Sequence, residues 1–114
     1  MRTMLKSKIH RATVTGTELG YEGSIAIDAD LLSRADIIPD EQVHVLNVDT
    51  GARFVTYAIS APAGSGAVVF NGAAARLGSP GDRVIVLSYA LVDHGDEQQG
   101  SPTLITVDEQ NRPR

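Results

Sequence analysis

The stretch "YEGSIAID", residues 21–28, sets the reading of the fold. Ile25 and Ile27 alternate with Ala26 and Asp28, the period-two pattern of a strand with one buried face. Gly23-Ser24 stands at the threshold of that strand. By itself the pair reads as an ordinary turn, because Gly and Ser punctuate loops. Downstream, "DADLLSRADI" (28–37) offers Asp28 or Asp30 as an N-cap and Leu31, Leu32 and Ala35 at helical spacing. That predicts a short helix, ended by Pro39. Upstream, "MLKSKIHRATVT" (4–15) mixes β-branched and basic residues and reads as a strand, and "GTELG" (16–20) as a turn or a single helical turn.

The rest of the chain repeats the theme. "QVHVLNV" (42–48) alternates with Val43, Val45 and Asn47 on one face; "DTG" (49–51) is a hairpin signal; "RFVTYAIS" (53–60) is the returning strand. "AVVF" (67–70), "RVIVLSYAL" (83–91) and "TLITVD" (103–108) are further strands. "NGAAARLG" (71–78) offers one or two helical turns behind an Asn cap, and "EQNRPR" (109–114) reads as a frayed tail. Short, closely spaced strands with one or two short helices predict a mainly β fold, a small β-barrel.

Composition bounds the function. A chain of 114 residues suits one domain, 1–114. A net charge of −4 speaks against nucleic-acid or membrane-surface partners. Without cysteine there is no disulfide, thiolate nucleophile or cysteine-based metal site, and His10, His44 and His94 show no metal-ligand spacing. The N-terminus is basic but lacks the apolar run of a secretory signal, and no stretch approaches a membrane span. A cytoplasmic protein is expected.

Several residue types carry potential chemistry. Ser24 is not a hydrolase nucleophile elbow, which needs Gly where Glu22 and Ala26 stand. "GSGAVV" (64–69) lacks the Gly-Lys-Ser/Thr of a phosphate loop. Arg53, Val55 and Tyr57 share a strand face, Arg53 with a planar fork suited to a carboxylate and Tyr57 with a phenolic proton. The plain alternative is an exposed Arg and a half-buried Tyr. "NGAAA" (71–75) sets small side chains around backbone N–H groups at a helix start, which can hold an anion or simply cap and pack. Lys6 and Lys8 share a strand face that reads equally well as a solvated edge.

Taken in order, "RTMLKSKIHRATVT", "YEGSIAID", "GARFVTYAI", "NGAAARL" and "PGDRVIVLSYA" resemble the pyruvoyl-dependent aspartate 1-decarboxylases. The likeness runs from about residue 2 to 92 and more weakly to Asn111. It implies a double-psi β-barrel, a homotetramer with active sites between subunits, and a proenzyme that cuts itself between Gly23 and Ser24 into chains 1–23 and 24–114. In this scheme Ser24 Oγ attacks the Gly23 carbonyl, β-elimination breaks the resulting ester, and hydrolysis with loss of ammonia leaves a pyruvoyl group. Thr56 and Asn71 would assist the cleavage. The new ketone forms a Schiff base with L-aspartate and serves as electron sink, so neither a metal nor pyridoxal phosphate is implied. Tyr57 would be the proton donor; Lys8, Arg53 and Thr56 would bind substrate with Gly72, Ala73 and Ala74; and His10, Tyr21 and Ile85 would line the pocket. The product is β-alanine, for pantothenate and coenzyme A. Some relatives mature with a helper protein, and some carry Trp where this chain has Leu46. The competing reading is a non-enzymatic or unprocessed barrel that serves as a binding module, because the fold alone does not fix function.

Overall fold

The structure is a computed structural model that describes residues 1–98 and 100–114. Eight strands carry the fold: β1 (Arg2–Thr13), β2 (Gly16–Glu18), β3 (Ile25–Asp28), β4 (Gln42–Asn47), β5 (Arg53–Ala61), β6 (Val68–Asn71), β7 (Arg83–Val92) and β8 (Thr103–Thr106). Two short helices interrupt them, α1 (Ala29–Arg34) and a 3-10 helix, η1 (Gly72–Leu77). The spatial order is β2-β6-β3-β5-β4-β7-β1-β8. β1/β8, β2/β6 and β3/β5 run parallel and the other pairs antiparallel. This mainly β, mixed arrangement agrees with the expected small β-barrel.

Strict alternation builds the core. Val43 and Val45 on β4, Val84 and Val86 on β7, Ile25 and Ile27 on β3, and Val68 and Phe70 on β6 are all buried. Their neighbours along each strand are exposed or partly buried, except Asp28 and Asn71, which end β3 and β6 as buried polar residues. Phe70 meets Phe54 edge-on at 5.3 Å, which fixes the floor of the barrel beneath β5 and β6.

Four local expectations need correction. Residues 16–18 are a strand, not a turn, because Gly16–Glu18 pairs in parallel with Val69–Asn71. α1 starts as expected, with Asp28 accepting from the Asp30 N–H at 2.8 Å, but it stops at Arg34, well before Pro39. Asp36 adopts φ 56°, and that left-handed turn breaks the helix first. Asn71 occupies the cap position of η1, yet its side chain makes no capping bond. The tail is not frayed: Asn111 is buried, accepts from the Thr13 N–H at 2.7 Å, and donates to the carbonyls of Thr13 (2.8 Å) and Gly66 (2.7 Å). A side-chain amide thus stands in for a strand neighbour, a pairing that periodicity does not reveal. Asn111→Ala is expected to cost about 2–4 kcal/mol in denaturant unfolding, because three backbone groups, one buried and two partly buried, lose a partner.

Asp28 also ties the 61–66 loop. Its carboxylate accepts from Gly64 N–H at 3.0 Å and Gly66 N–H at 2.8 Å. Burial works to raise its pKa, but the N–H donors of Gly66, Asp30 and Gly64, with the Arg112 charge, leave it below the ordinary carboxylate value. A depressed folded pKa supplies stability that is present above the ordinary value and lost as pH falls through the lowered one. Denaturant titrations are therefore expected to show stability falling below about pH 4, and a smaller fall in that window for Asp28→Asn.

Candidate active site

Three strands converge on Ser24. The β3/β5 register sets Ile25 beside Ala58, so Ser24 falls next to Thr56-Tyr57. The β3/β6 register sets Ile25 opposite Phe70, so Ser24 meets Asn71. Asn71 then holds it twice: its backbone N–H donates to the Ser24 carbonyl at 3.0 Å, and its Nδ2 donates to Ser24 Oγ at 3.2 Å. This is why the Asn71 side chain is not available as a cap.

The local backbone is unusual. Ser24 is buried and lies at φ 87°, directly after Gly23 at φ 91°. A left-handed serine is strained by roughly 1–3 kcal/mol and persists only where its surroundings impose it. Gly23, Ser24, Phe54, Val55, Thr56, Asn71, Ala73, Ala74 and Leu77 line a cleft of about 190 Å³. The Ser24 hydroxyl thus sits, held by one amide donor, at a strained Gly-Ser junction inside a small cleft.

Around this centre the other expected residues fall into two groups. Tyr57 lies at the rim, its hydroxyl donating to the Glu22 carbonyl at 3.4 Å, next to the Gly23-Ser24 junction. Tyr21 is exposed nearby. Arg53 is exposed and lines an adjoining cleft with His44, Leu46 and Val55; the two clefts share Phe54 and Val55. Gly72 packs against the backbone of Gly23 and Tyr21.

Lys8, His10 and Ile85 are not brought to Ser24. On β1 the buried Ser7 and Ile9 alternate with Lys8 and His10, which face the other way; Ile85, between buried Val84 and Val86, does the same. Register places Val55, His44, Leu87, Lys8 and Leu104 in one row across five strands. Three strand spacings, roughly 14 Å measured along the sheet, thus separate Lys8 from Val55. Lys6, paired with Lys8 in the sequence reading, is instead tied to Glu41 at 2.7 Å. Burial holds the His10 imidazole below its ordinary pKa, and the Lys8 and Arg11 charges act in the same direction. His10 Nδ1 is buried with no hydrogen-bond partner among the described residues.

Sequence reasoning missed Phe54 and Leu77 as cleft walls and Glu22 as the acceptor for Tyr57. Phe54 was accessible, since it shares a face with Thr56. Leu77 was not, because a 3-10 helix turns its residues differently from an α-helix. Among the described residues no group of three or more His, Asp or Glu could hold a metal ion, and no helix is long and apolar enough to cross a membrane.

Comparison with known proteins adds an independent line. Residues 1–114 match the sequence profile of the family described as aspartate decarboxylase. The chain is 56% identical over 110 residues to "Aspartate 1-decarboxylase" of Pelotomaculum thermopropionicum, covering 96% of this chain and 83% of that one. It is 59% identical over 112 residues to "Aspartate 1-decarboxylase 1" of Gloeobacter violaceus, covering 98% and 95%. With the "Aspartate 1-decarboxylase" of Thermoanaerobacter pseudethanolicus it shares 54% over 112 residues, covering 98% and 96%.

Proposed function

Because the chain belongs to the aspartate decarboxylase family, we propose that it is a self-processing enzyme that converts L-aspartate to β-alanine and carbon dioxide, feeding pantothenate synthesis. The observation that carries the reading is the buried, left-handed Ser24 behind Gly23, with its Oγ held by Asn71 Nδ2. Ser24 Oγ attacks the Gly23 carbonyl carbon, and the C–N bond gives way to a C–O ester bond. In this proposal Asn71 and Thr56, which line the cleft with Ser24, donate to the oxygens that gain charge in that step. Elimination across Cα–Cβ of Ser24 frees the Gly23 carboxylate, and hydrolysis then releases ammonia. The pyruvoyl group so formed supplies the electron sink for loss of the α-carboxylate. No metal or pyridoxal phosphate is part of the proposal.

The chain's own residues do the rest. Arg53, on the outward face of β5, clamps a substrate carboxylate through its planar fork. Tyr57 delivers a proton to the carbon that lost carbon dioxide. Thr56, Ala73 and Ala74 shape the cleft, and the Gly72, Ala73 and Ala74 backbone completes it.

Lys8, His10 and Ile85 enter from a second copy. Within one chain Lys8 lies three strands from β5, and in this proposal a second copy carries it to the cleft that Arg53 lines. The face that bears Lys8 is also apolar for a surface: Val55 is 52% and Leu104 63% exposed, and both lie in its row. A homotetramer that covers this face would complete the site. There His10, whose Nδ1 has no hydrogen-bond partner among the described residues, would line the pocket with Ile85 and Tyr21. A cytoplasmic setting belongs to the same proposal. A helper protein for maturation is compatible with it and not required by the chemistry. The test is release of carbon dioxide and β-alanine from L-aspartate by the purified protein; protein that is fully cut yet releases neither would sink the proposal.

A further inference from the structure

We infer that Gly72 is the template for self-cleavage: it holds Gly23 in the attack-ready conformation by direct backbone contact, and no residue with a side chain can do so. The inference rests on the reading of Ser24 above and deepens it. Gly72 is buried and sits at φ 64°, between Asn71 and the exposed Ala73. A methyl group built on it would lie 2.5 Å from Gly23 N, 2.7 Å from Gly23 Cα and 2.8 Å from the Tyr21 carbonyl oxygen. All three are backbone atoms, so no flexible side chain can swing aside.

The contact sits at the point where position matters most. Gly23 N–H already donates to the Tyr21 carbonyl at 2.9 Å, which closes a tight turn immediately before the scissile bond. Gly72 packs on that turn from one side, while its neighbour Asn71 grips Ser24 through two donors. Two consecutive residues thus hold the two halves of the bond to be broken, Asn71 the serine and Gly72 the glycine. A side chain at 72 would push Gly23 away while Asn71 kept Ser24 in place. A misplacement of about 1 Å between attacking and attacked atoms can slow a reaction about a hundredfold.

Left-handed backbone alone is not the reason for this glycine. Gly81 has φ 96°, and a methyl group there would meet nothing within 4 Å. Gly81→Ala therefore carries the conformational strain without the collision and serves as the control.

The experiment follows the cut by intact mass during warm incubation of freshly made wild type, Gly81→Ala and Gly72→Ala, each with and without hydroxylamine. Hydroxylamine opens the Gly23–Ser24 ester, leaving a hydroxamate on Gly23 and a free Ser24 hydroxyl and amine. Gly72→Ala is expected to be cut about 10- to 100-fold more slowly than the other two and to gain no extra fragments with hydroxylamine, since ester formation is itself the slowed step and no ester accumulates. Cutting of Gly72→Ala at the wild-type rate, or its release of fragments by hydroxylamine, would overturn the role of Gly72 and leave Ser24 standing. A wild type that is never cut, with or without hydroxylamine, would instead overturn the reading of Ser24. A second measurement does not depend on the folding of Gly72→Ala. In the uncut Ser24→Ala chain, amide exchange at Gly23 is expected to be at least about tenfold slower than at exposed Gly20. Equal exchange would mean that nothing holds the turn.

Discussion

Ser24→Ala is expected to give a folded, single chain of 114 residues that releases no carbon dioxide from L-aspartate. The substitution removes one oxygen, which accepts from Asn71 Nδ2 at 3.2 Å. The strands that fix the position, β3, β5 and β6, keep their ladders and their buried Ile25, Ala58 and Phe70. The cost in stability is therefore small, about 1–2 kcal/mol for the unpaired amide. The chemical cost is complete, because without Oγ there is no nucleophile for the Gly23 carbonyl and no precursor of the ketone. A denaturing gel, a thermal melt and a carbon dioxide assay check the three parts. Activity in the uncut variant would contradict the account.

Tyr57→Phe is expected to separate maturation from turnover. The ring stays on the outward face of β5, between exposed Val55 and half-buried Ile59, so packing is conserved. The lost hydrogen bond, to the Glu22 carbonyl at 3.4 Å, is long and contributes little to holding the loop. Self-cleavage should proceed. Decarboxylation should fall about 10²- to 10⁴-fold, the usual worth of a positioned proton donor, mainly in kcat. Steady-state rates of β-alanine formation by the fully cut variant check this. An unchanged kcat would remove Tyr57 from the reaction.

The strands were legible because both physical signals pointed the same way. Period-two alternation in 42–47 and 83–88 matches the buried face residue by residue, and "DTG" sits at the turn where Gly51 takes φ 80°. What escaped the sequence depends on partners distant in the chain. Gly16–Glu18 has no strand pattern of its own and is extended only because β6 lies alongside. Asn111 looks like tail composition until it bonds to Thr13, 98 residues away.

The site shows the same division. That Ser24 is special came from resemblance; that it is buried, left-handed and held by Asn71 is visible only in three dimensions. Residue types could put Lys8 and Arg53 in one list, but only sheet order and register show that three strand spacings separate β1 from β5. Resemblance implied an active site between subunits, and the sheet order is the observation that bears on it.

The central claim is that Ser24 becomes a ketone by cutting its own chain, and intact mass under denaturing conditions tests it most directly. The expected result is two chains, residues 1–23 and 24–114, the larger lighter by one ammonia than a chain beginning with serine. A single chain of 114 residues that persists through warm incubation, or a larger fragment with the full mass of a serine start, would contradict it.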